Sequence, residues 1–122
     1  CYVISTQDDH IAPWKSTYAA TGLYRGPVKF VLSASGHIAG VVNPPAAKKY
    51  CHWTAPANSK NPKNPDTWLE GATKHEGSWW PDWAKWVKRH AGKKDTPARK
   101  PGSGKLKPIC DAPGEYVRVK SE

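Results

Sequence analysis

The 122-residue sequence contains no methionine, so no translational start is visible. Its opening run Cys1-Tyr-Val-Ile-Ser5 already reads as the middle of a core strand. The chain is therefore expected to be the C-terminal piece of a longer protein. It lacks any apolar run near the roughly 18 residues of a membrane helix, and it lacks a secretory leader. A soluble protein is the expectation. Cysteine is scarce and odd in number. Cys1, Cys51 and Cys110 form no C-x-x-C pair, which argues against a disulfide framework or a zinc cluster. A reducing, cytoplasmic setting fits that usage. His52, His75 and His90 show no metal-ligand spacing. A nucleophile elbow of the G-x-S-x-G kind, a sharp strand-to-helix turn flanked by small residues, is also missing, because Ser33, Ser35 and the three cysteines all lack that context.

Acidic residues are few, 10 against 19 basic ones, for a net charge of +9. The imbalance is local. Nine basic residues and one acid, Asp95, lie between Lys85 and Lys107, while the rest of the chain is near balance. Such a stretch is either a solvated helix face with a solvated linker or an attractor for polyanions and nucleotide phosphates. No nucleic-acid-binding motif accompanies it.

Tyr2 to Ser5 and Val28 to Leu32 are short, strongly β-prone runs. Between them, residues 14 to 23 can form a helix with Trp14, Tyr18, Ala19 and Gly22 on one face. Strand, helix, strand implies a βαβ unit and a parallel sheet. Val42-Asn-Pro-Pro45 ends the unit. Residues 54 to 64 read as a loop. Asn64 and Pro65 are a cap and first turn for a helix reaching about Lys74. Pro81 suits the first turn of a second helix, with Trp80, Trp83, Ala84 and Val87 on one face and Lys88, Arg89 and His90 at its negative end. Gly92 to Pro108 is a Lys-, Gly- and Pro-rich linker. Tyr116 to Lys120 alternates like an edge strand.

Asp9 and His37 lie 28 residues apart, each on a loop after a strand. In parallel sheets that edge is where ligand sites sit. A carboxylate that holds the ring proton of a histidine fixes its tautomer and stabilises the imidazolium, so the pair forms the acid–base half of a triad. Gly36 would allow the tight turn that presents His37. Pattern alone leaves Asp8 and Asp9 as competing acids. His10 and Ile38 are candidates for substrate contact. Trp68, Trp79, Trp80, Trp83 and Trp86 read as packing, or as an apolar wall for an acyl chain.

The runs Asp9-His-Ile-Ala-Pro-Trp14, Phe30-Val-Leu-Ser-Ala-Ser-Gly-His-Ile-Ala-Gly-Val-Val-Asn-Pro-Pro45 and Gly77-Ser-Trp-Trp-Pro-Asp-Trp83 resemble the C-terminal part of polyhydroxyalkanoate synthases. Ala112-Pro-Gly-Glu-Tyr-Val117 resembles that family too, and the Trp-bearing tail resembles its single-subunit class I members. The resemblance implies an α/β fold, the C-terminal portion of an α/β-hydrolase fold with a Trp-rich helical tail. It implies a sheet core over 1–45, a helical tail over 46–91, a basic linker over 92–108 and a terminal segment over 109–122. It assigns Asp9 as the acid and His37 as the base of a Cys–Asp–His triad whose cysteine lies upstream of this chain.

The implied activity is polymerisation of (R)-3-hydroxyacyl-CoA, in particular (R)-3-hydroxybutyryl-CoA, with release of CoA. No cofactor or metal is implied. The implied partners are the growing polyester, the surface of a cytoplasmic polymer granule and a second copy in a homodimer. Nucleic acid and a membrane span are not expected. The alternatives are a serine hydrolase fragment of the same fold and a non-catalytic basic, Trp-rich binding module.

Overall fold

A computed structural model describes residues 1–56, 60–92, 95–102 and 104–120. Lys93 and Lys94 of the basic stretch, and part of the loop expected over 54–64, lie outside the described residues. The chain divides into two units, Cys1–Ala91 and Gly92–Glu122.

The first unit is an α/β structure built on a four-stranded mixed sheet in the order β1-β2-β3-β4. Strand β1 (Tyr2–Thr6) runs parallel to β2 (Lys29–Ser33), Tyr2 opposite Lys29 and Thr6 opposite Ser33. The crossover between them carries two single-turn helices, α1 (Trp14–Thr17) and α2 (Ala20–Leu23). The one helix expected over 14–23 is thus interrupted at Tyr18 and Ala19. Beyond β2 come α3 (Ala39–Val42) and a 3₁₀ turn at Pro45–Ala47.

The parallel sheet expected from the βαβ pattern does not continue. Strand β3 (Cys51–Thr54) adds antiparallel to β2, and β4 (Thr73–Glu76) adds antiparallel to β3. The segment 46–91, expected to be helical, therefore holds two strands as well as helices α4 (Pro65–Glu70) and α5 (Trp80–His90). The helix expected to reach Lys74 stops at Glu70, and 73–76 is the exposed edge strand β4. Asn64 does cap α4, its Oδ1 accepting the Asp66 amide at 2.8 Å, with Pro65 at the first turn where its missing N–H is harmless.

Alternation along β2 sends Phe30 and Leu32 to one face and Val31 and Ser33 to the other. On the first face Trp14, Tyr18, Phe30, Leu32 and Trp68 form the buried cluster. Phe30 meets Tyr18 and Trp68 edge to face at centroid distances of 4.9 and 5.0 Å. Each such pair adds about 0.5–1.5 kcal/mol beyond its buried area. On the other face α5 packs by Trp79, Asp82 and Trp86, and both flanking indoles contact the Tyr2 ring.

That is not the stripe expected, since Trp80 and Trp83 remain 41% and 38% exposed. A charged residue takes the inward position because it is satisfied there. Lys29 Nζ lies 2.7 Å from Asp82, and the Tyr2 hydroxyl donates to Asp82 Oδ2 at 3.0 Å. Burial first, and then the Asp82 charge, hold the Tyr2 phenol above its ordinary pKa. Trp68 sits on the opposite face from the Trp79–Trp86 group, so the five tryptophans do not form one wall.

In the second unit the run expected as an edge strand is a single 3₁₀ turn, Tyr116–Arg118, with Tyr116 91% exposed. Among the described residues no helix is long and apolar enough to cross a membrane.

Candidate active site

The loops that follow β1 and β2 are tied to each other. The Gln7 amide donates to Ser33 O at 2.8 Å, and the Asp8 amide to Ser35 O at 3.0 Å. These bonds extend the parallel ladder beyond the strand ends and bring Asp9 and His37 to the same edge. His37 Nδ1 lies 3.7 Å from Asp9 Oδ1. This is an ion-pair separation; closure by under ~1 Å would make it a hydrogen bond. The Asp9 side chain is 12% exposed and that of His37 is 38% exposed, so the acid is sheltered while the imidazole faces outward.

Of the two competing acids, Asp9 is the one that faces His37. It also orders its own loop. Asp9 Oδ1 accepts the amides of Ile11 and Ala12, each at 2.9 Å. The Ala12 amide is the main cause holding the Asp9 carboxyl below its ordinary pKa, with the Ile11 amide and the His37 and His10 rings adding to it. A carboxylate fixed by two backbone donors keeps one orientation toward the imidazole.

The turn that presents His37 is made differently from expectation. Ser35, not Gly36, takes the left-handed conformation, at φ 73°. Gly36 instead lies in the turn leading into α3, its carbonyl accepting the Gly40 amide at 2.8 Å. Gly40 is the glycine the packing requires, because a Cβ there would run into the Ala34 carbonyl and sit 2.7 Å from Thr6 Cγ2. Ser33, fully buried beneath α3, donates from its hydroxyl to Gly40 O at 2.9 Å. The neighbouring Val41 O accepts the indole N–H of Trp79 at 3.1 Å and of Trp80 at 2.9 Å. The sequence offers Ser33 only as a nucleophile lacking its elbow, and Trp79 and Trp80 only as packing or an apolar wall, not as donors to α3.

His10 lies beside the pair, its ring edge-on to His37 at 5.6 Å between centroids. Ile38 is 68% exposed next to His37, and Ile11 is 70% exposed across the loop. Both candidate contact residues thus stand at the rim. Among the described residues no cluster of three or more His, Cys, Asp or Glu could hold a metal ion. Cys51 is half-buried on β3, and burial raises its thiol pKa, which opposes thiolate formation. A cavity of about 520 Å³ in the same unit is lined by Cys1, Pro27, Lys29, Asp82 and Arg89, at the opposite ends of β1 and β2 from Asp9 and His37.

This architecture is an α/β segment presenting a carboxylate–imidazole pair at the carboxyl ends of two adjacent parallel strands. No family model matches the chain. It is 47% identical over 120 residues to the poly(3-hydroxyalkanoate) polymerase subunit PhaC of Cupriavidus necator, covering 98% of this chain and 20% of that protein. It is 51% identical over 121 residues to the subunit of the same name from Rhizobium meliloti, covering 98% and 19%. With the poly(3-hydroxyalkanoate) polymerase of Methylorubrum extorquens the identity is 45% over 120 residues, covering 97% and 19%. The chain is thus similar to one segment of proteins named poly(3-hydroxyalkanoate) polymerase. It spans about a fifth of the length of the curated relatives it matches.

Proposed function

We propose that this chain is the acid–base part of an acyltransferase that polymerises (R)-3-hydroxyacyl-CoA into polyhydroxyalkanoate, with its nucleophilic cysteine supplied from outside the chain. The observation that carries the reading is the 3.7 Å approach of His37 Nδ1 to Asp9 Oδ1 at the carboxyl edge of β1 and β2. It is supported by the identity with polymerases of that name. The parallel β1–β2 pair with its crossover helices is compatible with the C-terminal portion of an α/β-hydrolase fold.

In this mechanism His37 takes the proton of the cysteine thiol. The thiolate attacks the thioester carbonyl of the substrate, the carbon–sulfur bond to CoA breaks, and the proton passes from His37 to the departing CoA sulfur. His37 then takes the proton of a 3-hydroxyl, whose oxygen attacks the acyl-enzyme. An ester forms, the carbon–sulfur bond to the cysteine breaks, and the proton returns from His37 to the cysteine sulfur. Asp9 holds His37 in the productive tautomer and offsets the charge of its imidazolium. Chain-length preference for (R)-3-hydroxybutyryl-CoA, a class I organisation, a homodimer and attachment to cytoplasmic polymer granules belong to the same proposal. His10 and Ile38 are its substrate-contact candidates, on the strength of their position at the rim.

The test is a chimera in which this chain replaces the matching segment of the Cupriavidus necator polymerase. CoA release from (R)-3-hydroxybutyryl-CoA is compared with that of the His37→Ala chimera. Release that collapses in the variant supports the role of His37. Release unaffected by the change removes His37 as the base. No release from either counts against the acyltransferase reading and favours a serine hydrolase or binding role.

A further inference from the structure

Helix α3 is a single turn, and it carries His37 at its entry. Its backbone bonds can be followed one by one. The amides of Gly40, Val42 and Asn43 donate to the carbonyls of Gly36, Ile38 and Ala39. Were the helix to continue past Val42, the carbonyls of Gly40 and Val41 would accept the amides of residues 44 and 45. Both of those residues are proline and have no N–H to give. Donors for these two carbonyls then come from elsewhere in the fold or from water.

The fold provides them from two directions. The Ser33 hydroxyl, at the end of β2, reaches Gly40 O. Trp79 Nε1 and Trp80 Nε1, at the start of α5, both reach Val41 O. A carbonyl oxygen has two lone pairs, so the paired indoles saturate it. The entry of α5 is itself fixed, since the Trp80 amide donates to Ser78 Oγ at 3.2 Å. The two tryptophans therefore act on α3 as donors as well as through their area.

We propose that Trp79 and Trp80 are positioning residues for His37, their indole N–H groups replacing the donors that Pro44 and Pro45 cannot supply and so holding α3, and the imidazole at its entry, in register with Asp9. The inference rests on the reading of His37 as the base. It explains why the Asn43-Pro-Pro45 and Ser78-Trp-Trp80 motifs occur together. One leaves a carbonyl open and the other closes it.

The experiment has two arms. In the chimera, Trp80→Phe and the double variant Trp79→Phe/Trp80→Phe keep an aromatic ring at each position, though a smaller one, and remove the donors. Trp80 is 41% exposed, so the single change leaves packing largely in place. The double variant is expected to lower kcat about 10-fold with KM within about 2-fold, because the loss falls on the placement of a reacting group and not on binding. The second arm follows amide hydrogen exchange in the chimera. The amides of Gly40, Val42 and Asn43 should exchange about 5-fold or more faster in the double variant while those of β2 do not change.

Unchanged exchange and unchanged kcat overturn the proposal, and so does a loss confined to KM. If His37→Ala leaves CoA release intact, the reading of His37 fails separately. Faster exchange at α3 would then support the clamp without its catalytic purpose.

Discussion

Gly40 is the position where one methyl group tests both the packing of α3 and the placement of His37. A Cβ there would penetrate the contact distance of the Ala34 carbonyl and stand 2.7 Å from Thr6 Cγ2 and 3.3 Å from Thr6 Cβ. The obstacle is on one side a backbone atom. On the other it is a side chain only 2% exposed, so neither neighbour can swing away. Overpacking of this kind costs about 1–3 kcal/mol, and a backbone collision belongs at the upper end. Alanine in a helix regains about 1 kcal/mol over glycine. The net expectation for Gly40→Ala is a loss of about 2 kcal/mol. In a unit of this size that lowers the melting temperature by roughly 8–16 °C.

Gly22 in α2 is the matched control, for it too lies in a one-turn helix but has nothing within 4 Å of a built Cβ. Gly22→Ala should be neutral or stabilising by up to about 1 kcal/mol. Thermal unfolding of the two variants followed by circular dichroism makes the comparison. Equal melting temperatures for Gly40→Ala and Gly22→Ala would refute the argument that α3 is seated against β1 by the absence of a side chain.

Asp9→Asn keeps an oxygen for the Ile11 and Ala12 amides but loses the charge facing His37. CoA release in the chimera should fall by about 10³–10⁴-fold with the fold retained, and a loss below tenfold would argue against Asp9 as the acid. Because the folded-state pKa of Asp9 is lowered from 3.8, its stabilising contribution is present above that value and disappears as pH falls through the lower one. The Asp9→Asn chain should therefore show a shallower acid limb below about pH 4 in a urea-midpoint titration. His52 is buried against Gly77 O at 3.1 Å and stacks on His75 at 5.1 Å, and burial lowers its pKa from 6.5. Its neutral form is the one the fold accepts, so stability should decline as pH drops below 6.5, and His52→Asn should remove that part of the decline. Asp82→Asn leaves the half-buried Lys29 without its counter-ion and should cost about 1–3 kcal/mol by urea unfolding, whereas Asp66→Asn, whose bridge to Lys15 is more than half exposed, should change stability by less than ~0.5 kcal/mol.

What could be read from the sequence follows the range over which each signal acts. β1, β2 and the loops after them are written in short runs of β-formers ended by turn residues, and those runs alone bring Asp9 and His37 to one edge. The Asn64 cap and the prolines at 65 and 81 are equally local. β3 and β4 failed to register because each is four residues long. Thr73-Lys-His-Glu76 is wholly exposed, so its sequence carries no alternation of burial to find. Its strand character comes from pairing with β3, a tertiary fact.

The inward face of α5 was misread for a related reason. A hydrophobic stripe search discards Asp82, yet Lys29 and Tyr2 on the sheet give that carboxylate its partners, and the helix turns to meet them. The same holds for α3. The prolines at 44 and 45 announce that two carbonyls need donors, but nothing near them in sequence says which. Ser33, upstream on β2, answers for Gly40 O; the answer for Val41 O lies about 35 residues beyond the prolines, in Trp79 and Trp80. A missing hydrogen-bond donor is thus a sequence-visible question whose answer is a long-range contact. In this chain that contact joins the histidine loop to the tryptophan helix, so the geometry of His37 depends on residues that never face the site.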